Sequence, residues 1–190
     1  MIRELLLLSL STVLINNFIL TQLLGIEPLI NSANNVKQAA KLGLAVIFIM
    51  VLVSSLTWVV NSVLLIPFRL EYLKTFVFIV IIVSLVQFTD WILQKFKVSL
   101  GVQLPALIAN SAILGLALIN VLQFSEFGGN FIQAIVNAIA AGSGFFLVVV
   151  LFAGIKERLD LKNIPRCFGG VPIALVSTAL IAIAFLGFIM

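Results

Sequence analysis

The chain has 190 residues, 63% of them hydrophobic and only 9% charged, with a mean hydropathy of +1.30. So little polar surface cannot cover a soluble globule of this length, which places the chain in a bilayer. The absence of His and the single Cys167 exclude a histidine base, an internal disulfide and a multi-cysteine metal site made by this chain alone. The formal charge of +4 is scattered, with no acidic or basic tail, so it sets membrane orientation rather than marking a nucleic-acid surface.

A helix needs about 20 mostly apolar residues to cross a hydrocarbon core of ~30 Å. The first charge-free run covers 5–26. Its opening LLLLSLSTVLI has the look of a signal-peptide core, but no small-residue cleavage site follows and Asn16-Asn17 leads back into apolar residues. A retained helix, ended by Gly25 and Pro28, is therefore expected. The second run covers 42–68; the third, 75–89, is short but lies within an apolar stretch, 70–93, whose polar residues Glu71, Lys74, Gln87, Thr89 and Asp90 lie near its ends, within reach of the interface. FVFIVIIVSLV at 76–86 is strand-like in composition, yet it is continuously apolar and lacks the alternation of a membrane-barrel strand.

The fourth run, 98–125, has Pro105 near its start, then LPALIANSAILG, where Asn110 and Ser111 interrupt an apolar stretch that goes on through Gly115. The fifth, 127–155, carries Asn130, Gln133 and Asn137 at i, i+3 and i+7, one polar stripe that continues through Ala141 and Gly144. Ala134, Ala138 and Gly142 form an adjoining ridge of small residues, so this side of the helix is either a packing face or an ion-facing wall. KERLDLKNIPR at 156–166 reads as a solvated loop able to dock a soluble partner, and the sixth run covers 167–190.

These runs predict an all-α membrane protein of six transmembrane helices in a single domain, 1–190, divided at about 96 and 97. Three helices per half make the second half run inverted. Leu14-Ile15-Asn16-Asn17 and Leu107-Ile108-Ala109-Asn110 echo one another, which predicts interrupted first and fourth helices and a midmembrane site between the halves. Asn16, Asn17, Asn110 and Ser111 are either interhelical glue, worth about 0.6–2 kcal/mol each, or members of a functional pathway. Arg3, Arg69 and Lys74 fall on one side. Lys37, Lys41, Lys95, Lys97, Lys156, Arg158, Lys162 and Arg166 fall on the other, which makes that side cytoplasmic and both termini outward-facing, periplasmic in a Gram-negative cell. No phosphate loop, dinucleotide fingerprint, or nucleophile paired with a base is present, so catalysis by the chain alone is not expected. A secondary ion transporter and a subunit of an energy-converting complex remain.

VLINNFIL with LLGIEP, LIPFRLEYLKTFVFIVIIVSLVQFTD, LPALIANSAILGLALIN, GFFLVVVLFAGIKERL and IPRCFGGVPIALVS together resemble one family along nearly the whole chain. It is the A-subunit family of the Rnf ion-translocating electron-transport complex, which is similar to the E subunit of the sodium-translocating NADH:quinone reductase. The resemblance implies an inner-membrane subunit paired with a homologous subunit of opposite topology, beside other Rnf-like subunits. It also implies electron transfer of the ferredoxin/NAD type coupled to Na+ or H+ movement, and two cysteines that share a 2Fe-2S cluster with the partner. This chain departs from the family at both cysteine positions: Glu27 precedes Pro28 where the motif is LG-x-C-P, and Ser111 follows Asn110 where Asn-Cys is expected. Without thiolates at either position, no cluster held by this chain is expected. Under the transporter reading, Glu27 becomes a carboxylate able to bind Na+ or cycle a proton; otherwise it is an interfacial side chain at a helix end.

Overall fold

Continuous apolarity without alternation yields helices, and the computed structural model has no strand among its described residues: 9, 12–13, 17–22, 24–27, 35–95, 107–108, 110–126, 130–160, 165 and 170–187. In chain order the helices are α1 (Phe18–Gln22), α2 (Val36–Val60), α3 (Lys74–Lys95), α4 (Ser111–Val121), α5 (Phe131–Asp160) and α6 (Val171–Leu186). A π-helical turn, Asn61–Leu65, extends α2, a second one, Leu122–Glu126, extends α4, and a 3-10 turn, Glu71–Leu73, leads into α3. Among the described residues, three segments are long and apolar enough to cross a membrane: Val36–Leu65, Glu71–Ile92 and Phe131–Leu159. Ser111–Phe124 and Val171–Leu186 are shorter apolar helices.

The helix starts differ from the ends of the charge-free runs, for local reasons. Helix α2 begins at Val36, so Lys37 and Lys41 sit exposed in its first turns, where their long stems carry the charges outward along the helix surface. Helix α4 begins only at Ser111, because Asn110 is extended (φ −76°, ψ 104°) and its side chain accepts the Ala112 N–H at 3.0 Å, the geometry of an N-cap. Gly170, at φ 81°, and Pro172 in the first turn fix the start of α6. At 30 residues, α5 is about 45 Å long, so its Lys156-Glu157-Arg158 end extends past the apolar thickness it can cover.

Helices α2 and α5 pack along one another at the centre. Their backbones approach where Gly43 faces Phe146 and Gly142 faces Ile47: a Cβ on Gly43 would sit 2.7 Å from Phe146 Cδ2, and one on Gly142 only 3.0 Å from the Ile47 Cα. Ala134 and Ala138 are fully buried, as the small-residue ridge predicted. Ile49, Met50, Val53, Phe145, Val148 and Phe152 fill the remaining core. Around this pair, α1 contacts α5 and α6, while α4 contacts α2, α3 and α5; α2 also packs on α3, and α5 on α6. Large apolar side chains such as Phe48, Phe76, Phe88, Leu180 and Ile183 lie exposed on the outer faces, the arrangement suited to a lipid environment.

Candidate functional site

Asn17 and Asn110 are each a buried, non-helical residue immediately before a helix, α1 in one half and α4 in the other. Their amides act differently. Asn17 Nδ2 donates back to the Val13 carbonyl at 3.0 Å, and Gly144 of α5 lies so close that a Cβ there would be 2.9 Å from that nitrogen. Asn110 uses its Oδ1 for the cap on α4, and its buried Nδ2 finds no hydrogen-bond partner among the described residues. Asn16, Pro28, Pro105 and Cys167 lie outside the described residues.

The two positions singled out by the resemblance, 84 residues apart, meet. The Ser111 hydroxyl donates to the Glu27 carboxylate, 3.0 Å to Oε1 and 3.2 Å to Oε2, and accepts the Gly25 N–H at 2.8 Å. Gly25 makes this possible with its positive φ of 81°; any Cβ there would fall 2.9 Å from Ala112 Cβ and Phe145 Cε2 and 3.0 Å from Asn110 Oδ1. Ser111 opens α4, so the carboxylate lies by the positive end of that helix.

A second polar group lies in the core. Thr12 Oγ1 donates to Asn137 Oδ1 (2.8 Å), Asn137 Nδ2 to Asn120 Oδ1 (2.6 Å), and Asn120 Nδ2 to both Ser54 Oγ (2.9 Å) and the Ala134 carbonyl (3.1 Å). This buried chain joins the first apolar run, α2, α4 and α5. It contains hydroxyls and amides only, so it carries no formal charge of its own. The polar stripe on α5 is therefore divided: Asn137 belongs to this chain, whereas Asn130 is exposed before α5 and its N–H is capped by Gln133 Oε1 at 3.0 Å. Sequence reasoning passed over Thr12, Ser54 and Asn120. The available signal was the lone Asn in LALINV, a costly side chain for an apolar helix to bury without a partner.

The residues at 27 and 111 do not fit a 2Fe-2S cluster. Such clusters are held by thiolates, whereas the groups here are a carboxylate and a hydroxyl that already donates its hydrogen bond to that carboxylate.

Apolar helices packed through glycine and alanine, exposed apolar outer faces and buried amides at helix breaks together define an integral membrane protein. Residues 5–190 match the family model described as Rnf-Nqr subunit, membrane protein, and the chain belongs to that family. It is 42% identical over 190 residues to the A subunit of the ion-translocating oxidoreductase complex of Syntrophotalea carbinolica, covering 98% of this chain and 96% of the relative. It is 45% identical over 185 residues to the A subunit of the Na(+)-translocating ferredoxin:NAD(+) oxidoreductase complex of Acetobacterium woodii, covering 95% and 94%. With the A subunit of the ion-translocating oxidoreductase complex of Serratia proteamaculans it shares 42% identity over 189 residues, covering 97% and 96%.

Proposed function

We propose that this chain is an integral inner-membrane subunit of an Rnf-like complex that couples electron transfer of the ferredoxin/NAD type to Na+ or H+ translocation, and that it contributes no cluster ligand of its own. The observation that carries the reading is end-to-end similarity, at 42–45% identity, to relatives named as the A subunit of such complexes. The chain works beside a homologous subunit of opposite topology and other Rnf-like subunits, and has no catalytic residue of its own.

Six helices as two inverted repeats are part of the same reading. Exchanging the halves turns α1 into α4, α2 into α5 and α3 into α6. The packing of α1 on α6 then becomes that of α4 on α3, α1 on α5 becomes α4 on α2, and α2 on α3 becomes α5 on α6; each of these pairs is present, and α4 on α5 has no α1–α2 packing of matching extent among the described residues. The matched breaks at Asn17 and Asn110 add support. Both termini face outward in this reading, which the excess of Lys and Arg in the first, third and fifth loops supports.

The test uses inverted membrane vesicles from a strain lacking the gene and from the same strain with it restored. Ferredoxin-dependent NAD reduction that drives sodium or proton uptake is expected only with the gene present. One observation favours a second reading, a self-sufficient inverted-repeat ion transporter: Glu27 places a carboxylate at the junction of the two halves. Under that reading the chain reconstituted alone carries ion flux, and Glu27→Gln abolishes it.

A further inference from the structure

We infer that Glu27 and Ser111 stand in for a metal cluster by closing on each other: they form a hydrogen-bonded clasp that fastens the end of the first apolar run to the start of α4. The inference rests on the proposed family role for what the clasp replaces; the clasp itself rests on geometry alone.

A serine hydroxyl has one proton to give and oxygen lone pairs to receive with. At Ser111 the proton goes to Glu27, shared between its two carboxylate oxygens at 3.0 and 3.2 Å, and the oxygen takes the Gly25 N–H at 2.8 Å. Two residues of one short segment, Gly25 and Glu27, therefore grip a single atom of α4, one as donor and one as acceptor. An interfacial glutamate would extend its head away from the protein toward water. Glu27 is an exposed residue, yet both its oxygens lie against Ser111.

The surroundings are shaped to the same end. The positive φ of Gly25 turns its N–H onto Ser111, and the lack of a Cβ lets this segment lie against Asn110, Ala112 and Phe145. Asn110 caps the helix that presents Ser111, which fixes the hydroxyl at the first residue of α4, where the helix end favours a nearby carboxylate. Charge-assisted bonds of this kind are stronger than neutral ones. Glu27 and Ser111 are thus positioning residues, and neither is a metal ligand in the assembled protein.

The experiment uses the intact complex, purified through a tag on this chain, as wild type, Ser111→Ala, Ser111→Thr and Glu27→Gln. Iron per complex and the electron paramagnetic resonance spectrum of the reduced complex are expected to be the same in all four. Hydrogen exchange of the segment containing Gly25 is expected to rise about tenfold in Ser111→Ala, where the amide loses its acceptor, and to stay near wild type in Ser111→Thr, which keeps a hydroxyl. Loss of iron or an altered spectrum in Glu27→Gln or Ser111→Thr overturns the inference, even if Ser111→Ala fails to assemble. Unchanged exchange in an assembled Ser111→Ala complex overturns it as well. A chain that purifies without redox subunits contradicts the functional reading instead, and the exchange comparison then still decides the clasp.

Discussion

Asn120 shows how much one buried amide can organise: its oxygen accepts a hydrogen bond from Asn137 of α5 and its nitrogen donates to both Ser54 of α2 and the Ala134 carbonyl. Replacing it with Leu, which has the same side-chain branching but no polar atoms, leaves Asn137 Nδ2 without its acceptor in the core. The expected cost is about 1–3 kcal/mol, read as a lower thermal midpoint in detergent. Gln133→Ala removes only an exposed cap on Asn130, so a change of less than about 1 kcal/mol is expected in the same assay. The two outcomes distinguish residues that spacing alone places on one stripe. Helical periodicity locates Asn130, Gln133 and Asn137 on one face but says nothing of depth, and Asn130 is exposed before the helix while Asn137, in its second turn, is buried. Asn120 was hard to find for a related reason: its partners come from other helices. The meeting of Glu27 and Ser111 lay beyond spacing too, since only the family resemblance singled out two positions so far apart in sequence.

At the scale of elements, the α2–α5 contact depends on missing side chains. Gly142→Leu must push the helix away from the Ile47 backbone, and a loss of about 1–3 kcal/mol is expected, as for other overpacked cores. Gly154, on the same helix, has nothing within 4 Å of where its Cβ would be. Gly154→Ala is therefore expected to be neutral or to stabilise by up to about 1 kcal/mol, through helix propensity. Thermal melts of the two variants side by side check both values. The existence of the longer helices was legible from apolar runs, because bilayer thickness dictates their length. Their starts were not: lysines within the first turns of α2 remain compatible with helix, whereas an asparagine cap stops α4 from extending back toward Pro105. The ridge of Ala134, Ala138 and Gly142 was legible as a line of small residues, a packing face or an ion-facing wall, and the structure buries both alanines and sets Gly142 against Ile47.

At the scale of the molecule, orientation and company remain to be measured. In a chain whose Cys167 is replaced by Ser, an impermeant thiol reagent applied to intact cells is expected to label Tyr72→Cys, exposed in the turn before α3, and to spare Glu157→Cys, exposed near the end of α5. Labelling of Glu157→Cys from outside contradicts the assigned topology. Membrane residence and family were legible in composition and in long motifs, because both are properties of the whole chain. The proposed absence of a cluster turns on two side chains, Glu27 and Ser111, where the resemblance leads one to expect cysteines. The most direct measurement of the central claim is purification of the tagged chain from its own membranes, followed by mass spectrometry of whatever remains bound. A stoichiometric set of redox subunits and a second membrane subunit homologous to this chain is the expected result; recovery of the chain alone, in a detergent that preserves other membrane complexes, contradicts it.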